Sequence, residues 1–248
     1  MTDTTQQVAL VTGASRGIGR AIALKLAEDG FAVVVNYAGN AELANQTVAE
    51  IEANGGRGVA LQADIGDSAS VIRLFDQALE AFGRLDVVVN NAGTLQMANI
   101  TTDNVEVLDR TLATNLRGSW LVMAKAAETL REGGRIIALS SSVLAKSFPA
   151  YGAYIASKAG VEGLIKVLAN ELRGRNITVN GVAPGPVATE LFFEGKSDEQ
   201  VASIAAMARS SAWDNRRKLP MPSPSWPGRK AAGSMGRCYA PTAVSLRA

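Results

Sequence analysis

Tyr154 and Lys158 stand four residues apart, Ser141 precedes the tyrosine by thirteen positions, and a glycine-rich turn, Thr12-Gly13-Ala14-Ser15-Arg16-Gly17-Ile18-Gly19, lies near the amino terminus. A helix places residues i and i+4 on one face, so an ammonium can sit beside a phenol and favour its ionised form. A phenol tuned downward from its usual pKa of about 10 can donate a proton to a carbonyl oxygen and act as a base in the reverse direction. Tyr151 is a rival, but four residues after it comes Ile155, which provides no charge. The chain contains no histidine. That removes the usual general acid of other dehydrogenases and the base of Ser-His hydrolases. A phosphate-binding turn, a proton donor and a cation, in this order, suit carbonyl reduction with a nicotinamide.

The glycines of the turn sit between a β-branched run and a helical pattern. There, missing side chains let backbone N–H groups and a helix amino terminus approach a pyrophosphate. This makes Gly13, Ser15, Arg16, Gly17, Ile18 and Gly19 candidate cofactor-binding residues. The choice between NAD and NADP depends on charge at the adenosine ribose, where an acid ending the second strand accepts from both hydroxyls and repels a 2′-phosphate. Asn36-Tyr37 stands there instead, with Asn36 a further candidate cofactor residue, while Arg16 offers a guanidinium for a phosphate and Ser15 a further donor. The missing acid and the present base predict NADP(H).

These residues need a scaffold, and short β-branched runs alternate with helical patterns along the chain. Residues 8–12, 31–37, 58–63, 86–90, 135–140 and 177–183 read as strands, several apolar throughout as buried parallel strands are. Residues 17–29, 41–54, 68–82, 102–131 and 151–173 read as helices, the fourth interrupted near Asn115. Ser197-Asp198-Glu199-Gln200 has the form of a capping box, which predicts the start of a last helix. The alternation predicts one α/β domain over residues 1–208, a Rossmann-like doubly wound parallel sheet with helices on both faces.

The formal net charge of +2 hides an asymmetry. Eight Lys or Arg and one acid fall from Arg209 onward, leaving 17 basic against 22 acidic residues before it. No apolar run approaches the roughly 18 residues of a membrane span, and the amino terminus is short and polar, so a cytoplasmic protein without a membrane partner is expected. Cys238 is the sole cysteine and cannot close an internal disulfide. With no histidine either, no metal site is expected.

The turn spacing T-G-x-x-x-G-x-G, Asn90-Asn91-Ala92-Gly93 after the fourth strand, Asn115, Ser141, Tyr154-x-x-x-Lys158 and Pro184-Gly185 after the sixth strand together resemble the short-chain dehydrogenases/reductases, over about Val8 to Ala208. The resemblance implies that Asn91, Ala92 and Gly93 steady the sheet beside the cofactor, that Asp64 and Ile65 flank the adenine, and that Pro184, Gly185, Val187 and Thr189 complete the cofactor set. It also implies that Ser141 hydrogen-bonds the substrate oxygen and that Asn115 anchors a water relaying protons to Lys158. The nearest resemblance within the family is to 3-oxoacyl carrier protein reductases, where Arg175 matches a basic residue facing the acidic carrier. Arg175 reads equally as a helix-end cation, and no thioester substrate is assigned. Residues 94–100, 143–150 and 187–193 follow strand ends and carry Met97, Leu144, Phe148, Leu191, Phe192 and Phe193, which favours a hydrophobic ketone or aldehyde.

Residues 209–248 break the pattern. They hold five of the eight prolines and two of the three tryptophans without a period of 2 or 3.6. Members of the family end in a helix, a strand and a glycine-rich turn. Over Arg209 to Leu246, taking the third base of each codon with the first two of the next, suitable synonymous codons restore such an ending, with a Pro-Glu-Glu helix start and closing glycines. The tail therefore reads as a frameshifted segment, unable to build the last helix and edge strand and expected to be largely irregular. By resemblance the restored ending belongs to a homotetramer interface. Two rival functions remain: an idle NADP(H)-binding sensor or scaffold on the same fold, which has no need of all four of Asn115, Ser141, Tyr154 and Lys158, and a nucleic-acid binder using the basic tail, which is not expected.

Overall fold

The computed structural model describes residues 6–193, 197–199, 201 and 237–239. Strands β1 (Val8–Val11), β2 (Ala32–Tyr37), β3 (Arg57–Gln62), β4 (Val87–Asn90), β5 (Arg135–Leu139), β6 (Thr178–Val182) and β7 (Arg237–Tyr239) form one parallel sheet in the order β3-β2-β1-β4-β5-β6-β7. The order turns back between β1 and β4, so the loops leaving these two adjacent strands diverge and open a crevice at their carboxyl ends.

Both faces of the sheet are covered, which explains why its inner strands are apolar without a break. Val8, Leu10, Val34, Val88, Ile136 and Val179 face one way and pack on Leu74, Phe75, Val122, Ala126 and Ile165. These come from α3 (Ser68–Phe82), α5 (Gly118–Thr129) and α6 (Gly152–Glu171). Ala9, Val11, Val33, Val35, Val87 and Val89 face the other way, onto Ile22, Leu26 and Ile51 of α1 (Gly17–Glu28) and α2 (Ala41–Ala53).

Side chains cap the helices that follow β2 and β3, but not the one that follows β1. Asn40 caps α2 by accepting from Leu43 N at 3.0 Å, and Asp67 caps α3 by accepting from Ser70 N at 2.8 Å. At α1 the N-cap is Arg16, no side chain caps it, and its first turn carries no acid. The leading N–H groups of α1 are therefore open to an outside anion.

The interruption expected near Asn115 is a π-helical turn, Ala113–Arg117, between α4 (Val105–Leu112) and α5. Such bulges insert one residue and re-aim the side chains around them. Arg175 donates to the carbonyls of Ala127 and, at 2.8 Å, of Leu130. Its guanidinium is thus spent on the carboxyl end of α5, the helix-end alternative. At the expected last helix, Val201 N donates to Ser197 O at 3.0 Å, one helical turn.

One expectation is corrected. The tail was read as unable to supply an edge strand, yet Arg237–Tyr239 pairs with β6 in the register Asn180↔Arg237 to Val182↔Tyr239. Strand addition needs only backbone groups opposite an unpaired edge, and these three residues include no proline. The other tail residues lie outside the described residues. Among the described residues no helix is long and apolar enough to cross a membrane.

Candidate active site

The glycine-rich turn is held from three sides. Thr12 is fully buried, and its hydroxyl accepts from Asn91 N at 2.9 Å and Ala92 N at 3.0 Å. Asn91 Nδ2 returns donors to the carbonyls of Thr12 (2.8 Å) and Gly13 (3.1 Å). Gly13 has φ 62° and Gly17 φ 56°, which an L side chain rarely adopts. A Cβ on Gly13 would sit 2.9 Å from Ala92 Cα, and one on Gly19 would strike the Gly13 carbonyl and the Asn91 amide. The two loops of the crevice therefore close on each other only because side chains are missing, and this cradle with its uncapped helix end fits a pyrophosphate.

Asn36 was read as a cofactor residue, and the structure gives it a different place. It is 1% exposed. Its Oδ1 accepts from Gly13 N at 3.2 Å, and its Nδ2 donates to the carbonyls of Ala63 (3.2 Å) and Leu61 (3.3 Å). The amide ties the turn to β2 and β3, with both its oxygen and its nitrogen engaged inside the fold. Tyr37, next in β2, packs on the opposite face, against the cluster that β1 and β2 share with α1. Ser15 is half-buried, with its carbonyl accepting from Thr47 Oγ1, while Arg16 is exposed. Asp64 is exposed and accepts from Gly66 N at 2.8 Å. Ile65 is buried where a Cβ on Gly118 would lie 2.9 Å away. Pro184 O accepts from Ser142 N at 3.0 Å, and Thr189 lies over Gly17, its Cγ2 3.5 Å from where a Cβ would be. Val187 accepts from Thr189 N at 2.8 Å.

The four catalytic candidates come together behind this cradle. Asn115 is fully buried in the π turn; its Oδ1 accepts from Thr94 N (2.8 Å), and its Nδ2 donates to Thr94 O (2.9 Å) and Ser157 Oγ (3.1 Å). Ser157 Oγ in turn donates to Tyr154 O at 2.7 Å. Gly93 leaves room for both Asn115 Oδ1 and Lys158 Nζ, which a Cβ would meet at 3.2 and 3.6 Å. Lys158 is 4% exposed and donates to Leu139 O at 2.7 Å, and its Nζ lies 5.8 Å from the Tyr154 ring centre. The neighbouring serines differ in their partners: Ser140 donates to Glu162 Oε1 at 2.7 Å, whereas the Ser141 hydroxyl accepts from Val143 N at 3.3 Å and acts on the Tyr154 phenol.

The electrostatics correct a second expectation, that Lys158 lowers the Tyr154 pKa. Burial pushes the Tyr154 phenol above its ordinary value, the Ser141 hydrogen bond opposes this, and the neighbouring Tyr151 adds to it. Lys158 itself is brought down to about 8, because its ammonium is out of water. The ammonium faces the phenol ring and a carbonyl, so desolvation outweighs its pull on the hydroxyl.

Thr12 and Ser157 were missed as site residues. Thr12 was quoted in the turn but assigned no role; Ser157 lies one helical turn after Tyr154 and one residue before Lys158, a spacing that could have singled it out. Aromatic rings adjoin Tyr154 in a file, with ring centres 6.3 Å apart for Tyr151–Tyr154 and 5.6 Å for Phe148–Tyr151.

Residues 7–200 match the family model described as short chain dehydrogenase. The chain is 44% identical over 214 residues to an NADPH-dependent aldehyde reductase-like protein, chloroplastic, of Arabidopsis thaliana, covering 81% of this chain and 79% of that one. It is 42% identical over 211 residues to the versicolorin reductase stcU of Emericella nidulans, covering 81% and 80%. A crystal structure of a short chain dehydrogenase from Burkholderia cenocepacia J2315 in complex with NADP superposes with a TM-score of 0.82 at 36% identity, over 96% of this chain and 97% of that one. With a family model spanning most of its length and relatives more than 40% identical over four fifths of it, this chain belongs to the short chain dehydrogenase family.

Proposed function

We propose that the chain is an NADP(H)-dependent reductase of a hydrophobic ketone or aldehyde, working with the corresponding alcohol in reverse. The observation that carries the reading is Tyr154 with buried Lys158, whose Nζ lies 5.8 Å from its ring, and with buried Asn115 linked to it through Ser157, all set beside the glycine cradle. The NADP bound by the Burkholderia neighbour and the NADPH dependence in the name of the Arabidopsis relative support the cofactor, as do Arg16 and the absence of an acid ending β2. Gly13, Gly17, Gly19 and the open end of α1 would hold the pyrophosphate, with Arg16 and Ser15 toward the 2′-phosphate, Asp64 and Ile65 toward the adenine, and Asn91, Ala92, Gly93, Pro184, Gly185, Val187 and Thr189 around the rest. Bound there, the nicotinamide supplies or accepts the hydride.

The chain's own residues manage the proton. A phenol held above its ordinary pKa is fully protonated at neutral pH, the form that donates to a carbonyl oxygen in reduction. Ser141 would orient that oxygen against Tyr154, and Lys158 would stabilise the charge left on the phenol. The file Phe148–Tyr151–Tyr154 supports an apolar or aromatic substrate. Tyr154→Phe should abolish turnover of a ketone panel while leaving NADPH affinity within about threefold. A mutant retaining a tenth of the wild-type rate would sink the assignment, and full NADPH binding with no turnover by the wild type would favour the idle sensor.

We also propose a cytoplasmic homotetramer whose interface uses the restored carboxyl-terminal ending, residues from about Arg209 onward being a frameshifted translation. Trp120 and Val167, apolar yet 60% and 56% exposed on α5 and α6, support association through this helical face.

A further inference from the structure

Helix α7 (Glu190–Phe193) and the residues leading into it lie across the cofactor turn. Thr189 rests on Gly17 and starts the helix, its Oγ1 accepting from Phe192 N at 3.3 Å. The next residue, Glu190, accepts from Arg16 Nη1 at 2.8 Å. The guanidinium best placed for a 2′-phosphate is therefore occupied by a carboxylate from the segment that carries Leu191, Phe192 and Phe193 on the substrate edge.

We propose that Glu190 is an internal competitor for Arg16, displaced by the 2′-phosphate of the cofactor, so that NADPH and not NADH breaks the Arg16–Glu190 tie between α7 and the turn. The proposal rests on the reading of Arg16 as the phosphate residue. Both anions need the same planar fork of donors. The side chains of the pair are 59% and 71% exposed, a setting in which an ion pair is weak. A phosphate brings more charge and three acceptor oxygens, so it wins the exchange. Glu190 would thus lower the affinity for a phosphorylated cofactor and couple its arrival to the position of the substrate edge, because only a ligand with different affinities for the two states can shift them.

The test uses the full chain with 2′,5′-ADP and 5′-AMP, read by calorimetry and by rapid-quench hydrogen exchange of the segment 187–193. Glu190→Gln should bind 2′,5′-ADP about two- to fivefold more tightly, the range of an exposed ion pair, with 5′-AMP unchanged. In the wild type 2′,5′-ADP should speed exchange of the segment and 5′-AMP should not; in Glu190→Gln exchange should be fast without ligand. Equal affinity of both proteins for 2′,5′-ADP, or equal loosening by 5′-AMP, overturns the competition. Arg16→Ala distinguishes the deeper failure: if it leaves 2′,5′-ADP affinity unchanged, the phosphate reading itself is wrong, whereas weakened binding there with no effect of Glu190→Gln rejects only the competitor.

Discussion

Lys158 carries the clearest conflict between stability and function in the molecule. Its folded pKa of about 8 lies below the ordinary 10.5, so below pH 8 the native state must keep an ammonium out of water. The unfolded chain binds this proton more tightly, and the associated stability is present above about pH 10.5 and lost as pH falls through 8. Lys158→Met should therefore stabilise the fold at pH 6.5, by up to about 3 kcal/mol less the cost of leaving the Leu139 carbonyl unpaired, and so raise its melting temperature, while activity disappears. The gain should shrink between pH 8 and 10.5 in melts across that range, and a lower melting temperature at pH 6.5 would contradict it. At the other end of the site, Arg16→Ala should raise the NADPH Michaelis constant by about tenfold or more, the worth of a charge-assisted hydrogen bond, with little effect on NADH. Steady-state kinetics with both cofactors decide it. Tyr154 and Lys158 stood out as a pair because i to i+4 spacing is a local property, whereas Ser141 and Asn115 were named by resemblance to the family. The direction of the Tyr154 shift was not legible, since it depends on how much protein surrounds the phenol.

The glycine turn and the end of β2 show how elements, rather than single residues, set cofactor preference. Asn36 is consumed in holding β1, β2 and β3 together, and the pleat sends Tyr37 to the face of α1. An acid at 36 would place a carboxylate against two carbonyls, so Asn36→Asp should lower the melting temperature without producing an NADH enzyme. Tyr37→Asp should instead shift the NADPH/NADH ratio of kcat/KM toward NADH; the opposite pairing of outcomes would refute this account of the strand. Gly19→Ala tests the packing of α1 on the turn: the added methyl meets backbone, which cannot rotate away, and should cost about 1–3 kcal/mol in chemical denaturation together with cofactor affinity. Helix α3 was legible to the residue because Asp67 caps it and Gly83, at φ 76°, stops it. The π turn was visible only as an interruption, because its geometry comes from Asn115 bonding Thr94 and Ser157 across the fold.

For the whole molecule the open question is the edge beyond β6. Strand β7 is three residues long and contributes backbone pairing, while a restored ending would add an amphipathic helix and a longer strand. A chain with the restored ending should form a tetramer by light scattering, melt higher and reduce ketones faster than the chain as written. An ordered, fully active tetramer formed by the written chain would reject the proposed role of the ending. Intact mass of the protein from its native source, beside a resequenced gene end, tests the frameshift itself, and a mass matching the written chain would dismiss it.

The sequence by itself determined the fold class and the order of the elements through β6, because hydrophobic period, glycine placement and i to i+4 spacing act over a few residues of chain. Only the tertiary structure decided which side of β2 Asn36 takes, that Glu190 holds Arg16 across 174 positions, and that Lys158 is dehydrated. Those outcomes depend on distances between segments remote in sequence and on the loss of water around a charge, and neither is written in local pattern.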